Sequence, residues 1–335
     1  MQVAVLHDQV PPEAPPDQTD TMVQAAEVAG LLVELGHRAV HVPFAGKPGE
    51  TESELRLIKP EVVFNLVESP LGQGRLIHLA PLLLERMGLA FTGAGTRAML
   101  LSSNKLMAKR YMLEHGLPTP AWLSLDKSEE PAAKAGRWII KSVWEHASVG
   151  LDEDSVIEAR TGQDLQRQLE NRRAILGGEC FAERFIEGRE INIAMLASAK
   201  GVQVLPPAEI IFEGYGPDKP KVVGYKAKWD SASYEYHHTP RKFDFPARDR
   251  LLLQELNALC LRAWRLFGLR GWARVDFRID QQGGPWILEI NANPCLSSDA
   301  GFMAAARQAG LAPSQVVARI LADGYSRGSR NSQAA

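Results

Sequence analysis

Cysteine is scarce in this chain. Cys180, Cys260 and Cys295 are the only three, odd in number and far apart, which argues against a disulfide framework or a cysteine-rich metal site and fits a reducing compartment. An excess of charge is also missing: 38 Lys and Arg stand against 40 Asp and Glu. No global field would draw in nucleic acid or an anionic membrane, and neither is expected as a partner. Long hydrophobic runs are lacking too. The first residues, MQVAVLHD, pass straight into a strand pattern without a basic region and a long apolar segment, so no export signal or membrane span is expected and the cytoplasm is the expected location. No internal repeat or low-complexity block is visible.

What remains is an ordinary globular composition over 335 residues, enough for two or three domains sharing one body. Residues 2–7 read as a buried strand, and 20–35 as a helix with Met22, Val23, Ala26, Ala29, Leu32 and Val33 at helical spacing before Gly36. Strands at Arg38 to Phe44, Glu61 to Val67 and Leu89 to Thr92, with a helix at HLAPLLLERMG, predict a parallel sheet covered on both faces and ending near residue 95. A helical stretch from Arg97 to Gly116 follows, then strands at 137–143 and 155–158 and an amphipathic helix at 163–176, an α+β lobe. Beyond Glu179 come the strands ECFAERFI, REINIAML and VQVLPPAEIIF. A long polar segment from Glu213 to Pro246 is of a kind that is either functional or disordered. An amphipathic helix at 247–267, the hairpin WARVDFRI and PWILEIN, and short helices near 299–309 and 313–323 close the chain, with RGSRNSQAA as a disordered tail.

Chemistry concentrates in RVDFRIDQQGGPWILEINANP. Asp276, Glu289 and Asn291 are oxygen donors on adjacent strands, with Glu289 and Asn291 on one face. An all-oxygen set suits Mg²⁺ held with phosphates better than zinc; the alternative is a hairpin with a polar exposed face. Lys105, Lys141 and Lys228 lie in otherwise apolar or aromatic segments, where single lysines commonly snorkel. Lys141 precedes the turn SVWEHASVG, whose amides with a strand lysine suit phosphate oxygens. That turn is too poor in glycine to be a P-loop. Around Gly188 stand Glu183, Glu187 and Glu190; they are either solvated hairpin carboxylates or a nucleotide pocket, one taking ribose hydroxyls while the backbone of Phe185 and Ile186 reads adenine.

These segments occur in an order that resembles the D-alanyl-D-alanine ligases over nearly the whole chain: VFNLVE, AFTGAGTRAMLLSSNKLMAKRYMLEHGLPTPAW, WIIKSVWEHASVG, FAERFIEGREINIAML, GWARVDF, EINANPCL and MAAARQAGL. The resemblance implies an ATP-grasp fold, mixing α/β and α+β. Its expected parts are an N-terminal parallel-sheet domain (1–95), a central lobe (96–182), a C-terminal lobe with the metal site and a mobile loop (183–325) and a disordered tail (326–335). It implies that Lys105 and Lys141 hold ATP phosphates, that Glu183 and the Ile186 backbone contact adenine, and that Glu190 takes ribose. Lys228 is similar to the lysine that reaches the phosphates from the mobile loop. The resemblance further implies that Asp276, Glu289 and Asn291 bind magnesium, as two ions, and that Arg274 stabilises the reacting acyl phosphate with help from Ser148 and its loop. A homodimer is expected.

The substrate end departs from the family pattern. Asp17, or else Asp20, stands nearest the glutamate that receives the first amino group. Ala147 and Ser148 replace paired serines, Trp229 replaces a tyrosine, and Ala300 with Gly301, preceded by Asp299, replaces the Ser-Leu pair that holds the second carboxylate. Asp299 either contacts substrate or caps the following helix. The expected activity is ATP-dependent ligation of an amino acid or peptide carboxylate to an amine through an acyl phosphate, with D-alanine a poor acceptor. Authentic D-alanyl-D-alanine synthesis for the cell wall and a non-catalytic nucleotide-binding regulator are the alternatives.

Overall fold

The computed structural model of the chain describes residues 1–46, 48–125, 135–145, 148–174, 176 and 178–333. The first unit is built on three parallel strands in the order β2-β1-β3: β1 (Gln2–Asp8), β2 (Arg38–Phe44) and β3 (Val62–Asn65). Val3 to Leu6 are buried to the last atom, the apolar run demanded of a strand covered on both faces. The expected fourth strand reduces to one parallel bridge, Val63 to Phe91. Helix α1 (Pro16–Glu34) starts a turn earlier than the apolar spacing implies, because Pro16 opens it. Asp17 and Asp20 therefore lie on its first turns. Helix α2 (Pro48–Ile58) was not foreseen: among its described side chains Thr51 and Leu55 are buried and Ile58 packs half-buried on the same core, a narrow seam that leaves little periodic signal. Helix α3 (Leu79–Arg86) completes the layer.

The helical stretch before Gly116 is two helices, α4 (Thr96–Ser103) and α5 (Lys105–Glu114), broken at Asn104. The Asn104 side chain caps α5 by accepting from the Met107 N–H at 2.9 Å. Met99, Leu101, Ala108 and Met112 join the core of the C-terminal unit, while Leu106 packs against Trp122, Val143 and Phe181 of the central one, so α5 bridges the two. The central sheet has the order β4-β7-β5-β6: β4 (Trp122–Ser124), β5 (Gly136–Ser142), β6 (Val156–Ala159) and, after α6 (Gly162–Arg173), β7 (Cys180–Arg184). Because β7 pairs with β5 through Arg184, the central unit runs past the expected boundary at 182.

After β7 the chain reverses at Gly188, with φ 146°. A Cβ there would fall 1.9 Å from the Ile279 carbonyl oxygen, so only glycine fits. The C-terminal sheet has the order β11-β10-β8-β12-β13, with β9 also on β8. Its members are β8 (Arg189–Ser198), β9 (Gly201–Val204), β10 (Ala208–Ile210), β11 (Arg241–Lys242), β12 (Trp272–Ile279) and β13 (Pro285–Asn291). The polar segment 213–246 carries α7 (Tyr225–Trp229), α8 (Tyr234–His237) and β11. Helix α9 (Arg250–Phe267) ends on Gly268 in the left-handed conformation. Helices α10 (Gly301–Gln308) and α11 (Pro313–Gln333) follow. Phe302, Met303, Val316, Val317 and Ile320 share one core with Val3, Val28 and Phe64, which locks the N-terminal unit onto the C-terminal one. Helix α11 continues to Gln333, with no proline to interrupt a helix already nucleated by its buried turns. No helix among the described residues is long and apolar enough to cross a membrane.

Candidate active site

A cavity of about 550 Å³ opens where the three units meet, and it is lined by the proposed nucleotide, metal and substrate residues; Glu187 is not among them and pairs with Arg137 instead. The N-terminal unit contributes Asp17. Lys105, Lys141, Ser148, Glu183 and Ile186 come from α5 and the central unit, and Glu190, Arg274, Asp276, Glu289, Asn291 and Asp299 from the C-terminal one. Lys228 and Trp229 arrive on α7.

The cationic side is built on short strands and one helix. Lys105, the first residue of α5, donates to the Glu145 carbonyl at 2.5 Å, and burial lowers its pKa against the pull of Glu289. Lys141 on β5 pairs with Glu183 on β7, its diagonal neighbour across the Ile139–Glu183 register. Glu183 also pairs with Lys109 at 2.7 Å, both side chains being 1% exposed. Burial would raise the Glu183 pKa, but Lys109 and Lys141 together hold it below the usual value. Lys109 is itself pushed down to about 8 by burial. The sequence reading missed it, although it lies one turn after Lys105, on the same helix face. Lys109 further donates to Thr119 and the Pro120 carbonyl at 2.7 and 2.9 Å, which fixes the Glu183 carboxylate from behind. Glu190 meets Arg278 at 3.2 Å, and its pKa is raised by burial against the Arg278 charge. Arg278 also went unnoticed, though Arg274, Asp276 and Arg278 share one face of β12 by strand period.

On the β12–β13 hairpin Asp276 lies directly opposite Glu289, and Arg274 opposite Asn291. The donors thus converge as their parity predicts. Arg274 grips both Asp276 oxygens, at 2.7 and 2.8 Å; burial opposes its charge, yet Asp276 raises its pKa. Asn291 accepts from the Asn293 N–H at 2.8 Å through Oδ1. Among the described residues no three His, Cys, Asp or Glu side chains cluster as a metal site. The third oxygen is instead an amide, so the set is two facing carboxylates and a carboxamide. That chemistry fits a hard divalent cation completed by water or phosphate.

The opposite side is acidic. Glu68, just past the C-terminal end of β3, lines the cavity beside Asp17 and Asp20, and its pKa is pushed up to about 8 by burial and by the charges of Asp8 and Asp20. Asp8 accepts from the Glu68 and Ser69 N–H groups at 2.7 and 2.9 Å, which sets the turn. Cys295 donates to Asp20 at 3.1 Å. The end of a parallel strand is where open α/β sheets bind ligands, and that rule could have drawn attention to Glu68. Asp299 does not cap α10: the N-cap is Ala300, with no side-chain hydrogen bond. The Asp299 side chain lines the cavity instead.

The 213–246 segment covers the opening and touches all three units. Tyr225 donates to Asp17 at 2.7 Å, and its N–H donates to the Leu151 carbonyl at 2.8 Å. Ser148, held at φ 64°, donates to the Val223 carbonyl at 2.9 Å. Arg278 bonds the Lys221 carbonyl, and Lys219 joins Glu153 to Glu235 at 2.7 and 2.6 Å. Ser148 is therefore a seat for the covering segment as well as a cavity residue; its neighbour Ala147 lies outside the described residues. Lys228 is brought inside, and burial followed by the nearby Arg274 charge lowers its pKa.

A family model described as the D-ala D-ala ligase C-terminus matches residues 112–322. The D-alanine–D-alanine ligase of Bordetella pertussis is 33% identical over 72% of both chains, and that of a Synechococcus strain is 30% identical over 88% of this chain and 86% of its own. The solved D-alanine–D-alanine ligase of Bacillus anthracis complexed with ATP has the same fold, with a TM-score of 0.74 at 16% identity over 99% of both chains. The Coxiella burnetii ligase gives 0.69 at 15% identity over 99% of this chain and 96% of its own. By the matched length and these identities, the chain belongs to the D-alanine–D-alanine ligase family and is an ADP-forming enzyme of the ATP-grasp type.

Proposed function

We propose that the protein binds ATP in this cavity and joins a carboxylate to an amine through an acyl phosphate, with an amino acid or peptide as donor and a substrate end of its own design. The observation that carries this reading is the grouping of charge around the cavity: the hairpin carboxylates act on Lys105, Lys228 and Arg274, while Asp20 adds its repulsion to Glu68 on the wall that they share. A polyanion and an ammonium-bearing substrate belong at opposite ends of such a field.

In this reading Lys105 and Lys141 bind phosphate oxygens, the Ile186 backbone and Glu183 meet adenine, and Glu190 takes the ribose hydroxyls. Asp276, Glu289 and Asn291 would hold Mg²⁺, two ions in our reading, which supplies charge neutralisation for the transferring phosphoryl group. A donor carboxylate oxygen attacks the γ-phosphorus and ADP leaves. The amine then attacks the acyl carbon, the C–O bond to phosphate breaks, and the amine proton passes to solvent or phosphate. Arg274 stabilises the oxyanion that develops on the acyl carbon. Segment 213–246 excludes water, which would otherwise hydrolyse the acyl phosphate. A non-catalytic sensor has no need of the facing Asp276 and Glu289 carboxylates, which favours the enzyme.

The test is ADP release across pairs of D- and L-amino acids and dipeptides with Mg²⁺ and ATP. The proposal expects release that needs both substrates and the metal. D-alanyl-D-alanine as the preferred product would assign the family's named reaction and remove the altered substrate end. No release with any pair, from folded protein, would overturn the proposal.

A further inference from the structure

Arg278 lines the cavity but has no task in the chemistry proposed above. It stands on β12 directly opposite Glu190 on β8, and its side chain is buried. The guanidinium joins three parts of the molecule. Its Nη2 meets the Glu190 carboxylate at 3.2 Å. Its Nη1 donates to the Gly188 carbonyl at 3.1 Å, at the turn between the central and C-terminal units. Nη2 also donates to the carbonyl of Lys221 in the covering segment. The charge lies 5.7 Å from the ring centre of Phe185, just before that turn, and 5.6 Å from that of Phe212, where the covering segment begins. Next to Lys221, Val222 packs with Ile139 and Phe185. At these two residues the covering segment therefore touches both sides of the nucleotide site.

A buried guanidinium is costly unless its donors are met. Here they are met by groups that belong to different parts of the chain, and the rigid plane of the fork fixes where those groups stand relative to one another. An apolar side chain would pack beside Phe185 and Phe212 without that cost, so the charge serves more than packing. We infer that Arg278 is a positioning residue that ties nucleotide seating to closure: it aims Glu190 at the ribose and, through the Lys221 carbonyl, holds the covering segment over the bound nucleotide. This rests on the ligase reading above, in which Glu190 takes the ribose hydroxyls and the segment excludes water. A ribose that donates to Glu190 fixes the carboxylate, the carboxylate fixes the fork, and the fork fixes Lys221. Lys228 lies farther along the same segment, so closure at Lys221 also delivers the phosphate-binding lysine. Binding energy from the sugar, remote from the reacting atoms, is thereby used to keep the acyl phosphate under cover.

The experiment uses the full chain with Mg²⁺ and a substrate pair active in the ADP-release screen, and compares ATP with 2′-deoxyATP and 3′-deoxyATP. Two quantities are read: the nucleotide KM, and the leak, which is ADP released per ligated product. The parent should show a leak near one with ATP and a KM about tenfold higher for at least one deoxynucleotide, the effect of one hydrogen bond to a charged group. Arg278→Met should bring the three nucleotides within about twofold of one another in KM and raise the leak by about tenfold. Arg278→Lys keeps a charge beside Glu190 but cannot span both carbonyls; it should keep the preference for ATP and still leak. That separation of KM from leak is one that a merely structural role would not produce. Folded Arg278→Met with the parent's leak and the parent's preference for ATP would overturn the inference, as would a parent that uses both deoxynucleotides as well as ATP; ligated product in either case keeps the ligase reading alive. Should Arg278→Met fail to fold, a parental leak in Arg278→Lys would overturn it instead. No ADP release from the parent with any pair would overturn the ligase reading, and this inference with it.

Discussion

The two ends of the cavity are built by different means. Around the cationic end Lys105 and Lys228 come from α5 and α7, but the other side chains stand on β5, β7, β8, β12 and β13, whose registers fix the meeting of Asp276 with Glu289 and of Lys141 with Glu183. At the acidic end, Asp17 and Asp20 sit on the first turns of a helix and Glu68 follows a strand. The first end is held by backbone ladders and by a buried Lys109–Glu183 pair. The second is held by single side-chain contacts such as Tyr225 with Asp17. A ligase of this kind needs one chemistry for ATP and leaves substrate choice to parts that can vary, as loops on a rigid scaffold do.

If the rigid end carries the activation step, its single substitutions should be the most damaging. Glu289→Gln keeps the side-chain shape and removes a charge opposite Asp276; kcat should fall by about 10³-fold or more in the ADP-release assay, with the melting temperature nearly unchanged. Parental turnover would remove the metal assignment and with it the contrast between the ends. Lys109→Met should cost about 3 kcal/mol in denaturant titration, because it leaves the buried Glu183 carboxylate with Lys141 alone, where Lys109 and Glu183 are both 1% exposed. A loss below about 1 kcal/mol would mean that the pair is no more than a surface contact.

The acidic end makes a pH-dependent prediction. An acid raised by folding binds its proton more tightly in the folded state, so Glu68 makes the free protein lose stability as pH rises from its ordinary value of 4.5 to about 8. The slope is at most about 1.4 kcal/mol per pH unit for one proton. Glu68→Gln should flatten that part of the stability curve, and the difference between the two curves is the readout. Tyr225→Phe removes the 2.7 Å bond to Asp17 and should raise donor KM by about fivefold, the worth of ~1 kcal/mol. A loss as large as that of Glu289→Gln would show the covering segment to be as critical as the metal donors.

The same contrast explains what could be read from the amino acids. Glu289 and Asn291, two apart on a strand, share a face by geometry alone, and the Arg274 to Arg278 alternation was present to be used. Strand β2 matched its expected span, Arg38–Phe44, because its borders carry turn residues. Helix α2 was invisible because few of its described side chains, Thr51, Leu55 and in part Ile58, meet the core, and the α4–α5 break because one side-chain cap at Asn104 decides it. Glu68 reaches the cavity through packing between residues far apart in the chain, which no local period encodes. Asp299 was read as a possible cap, yet α10 begins one residue later than a cap there would require.

The proposed chemistry is tested most directly by following oxygen. With a donor labelled by ¹⁸O in its carboxylate, attack on the γ-phosphorus carries one carboxylate oxygen into the phosphate released when the amine attacks. One ¹⁸O per inorganic phosphate, formed in step with ADP and ligated product, is the result predicted here; ligated product accompanied by phosphate free of ¹⁸O would contradict activation as an acyl phosphate.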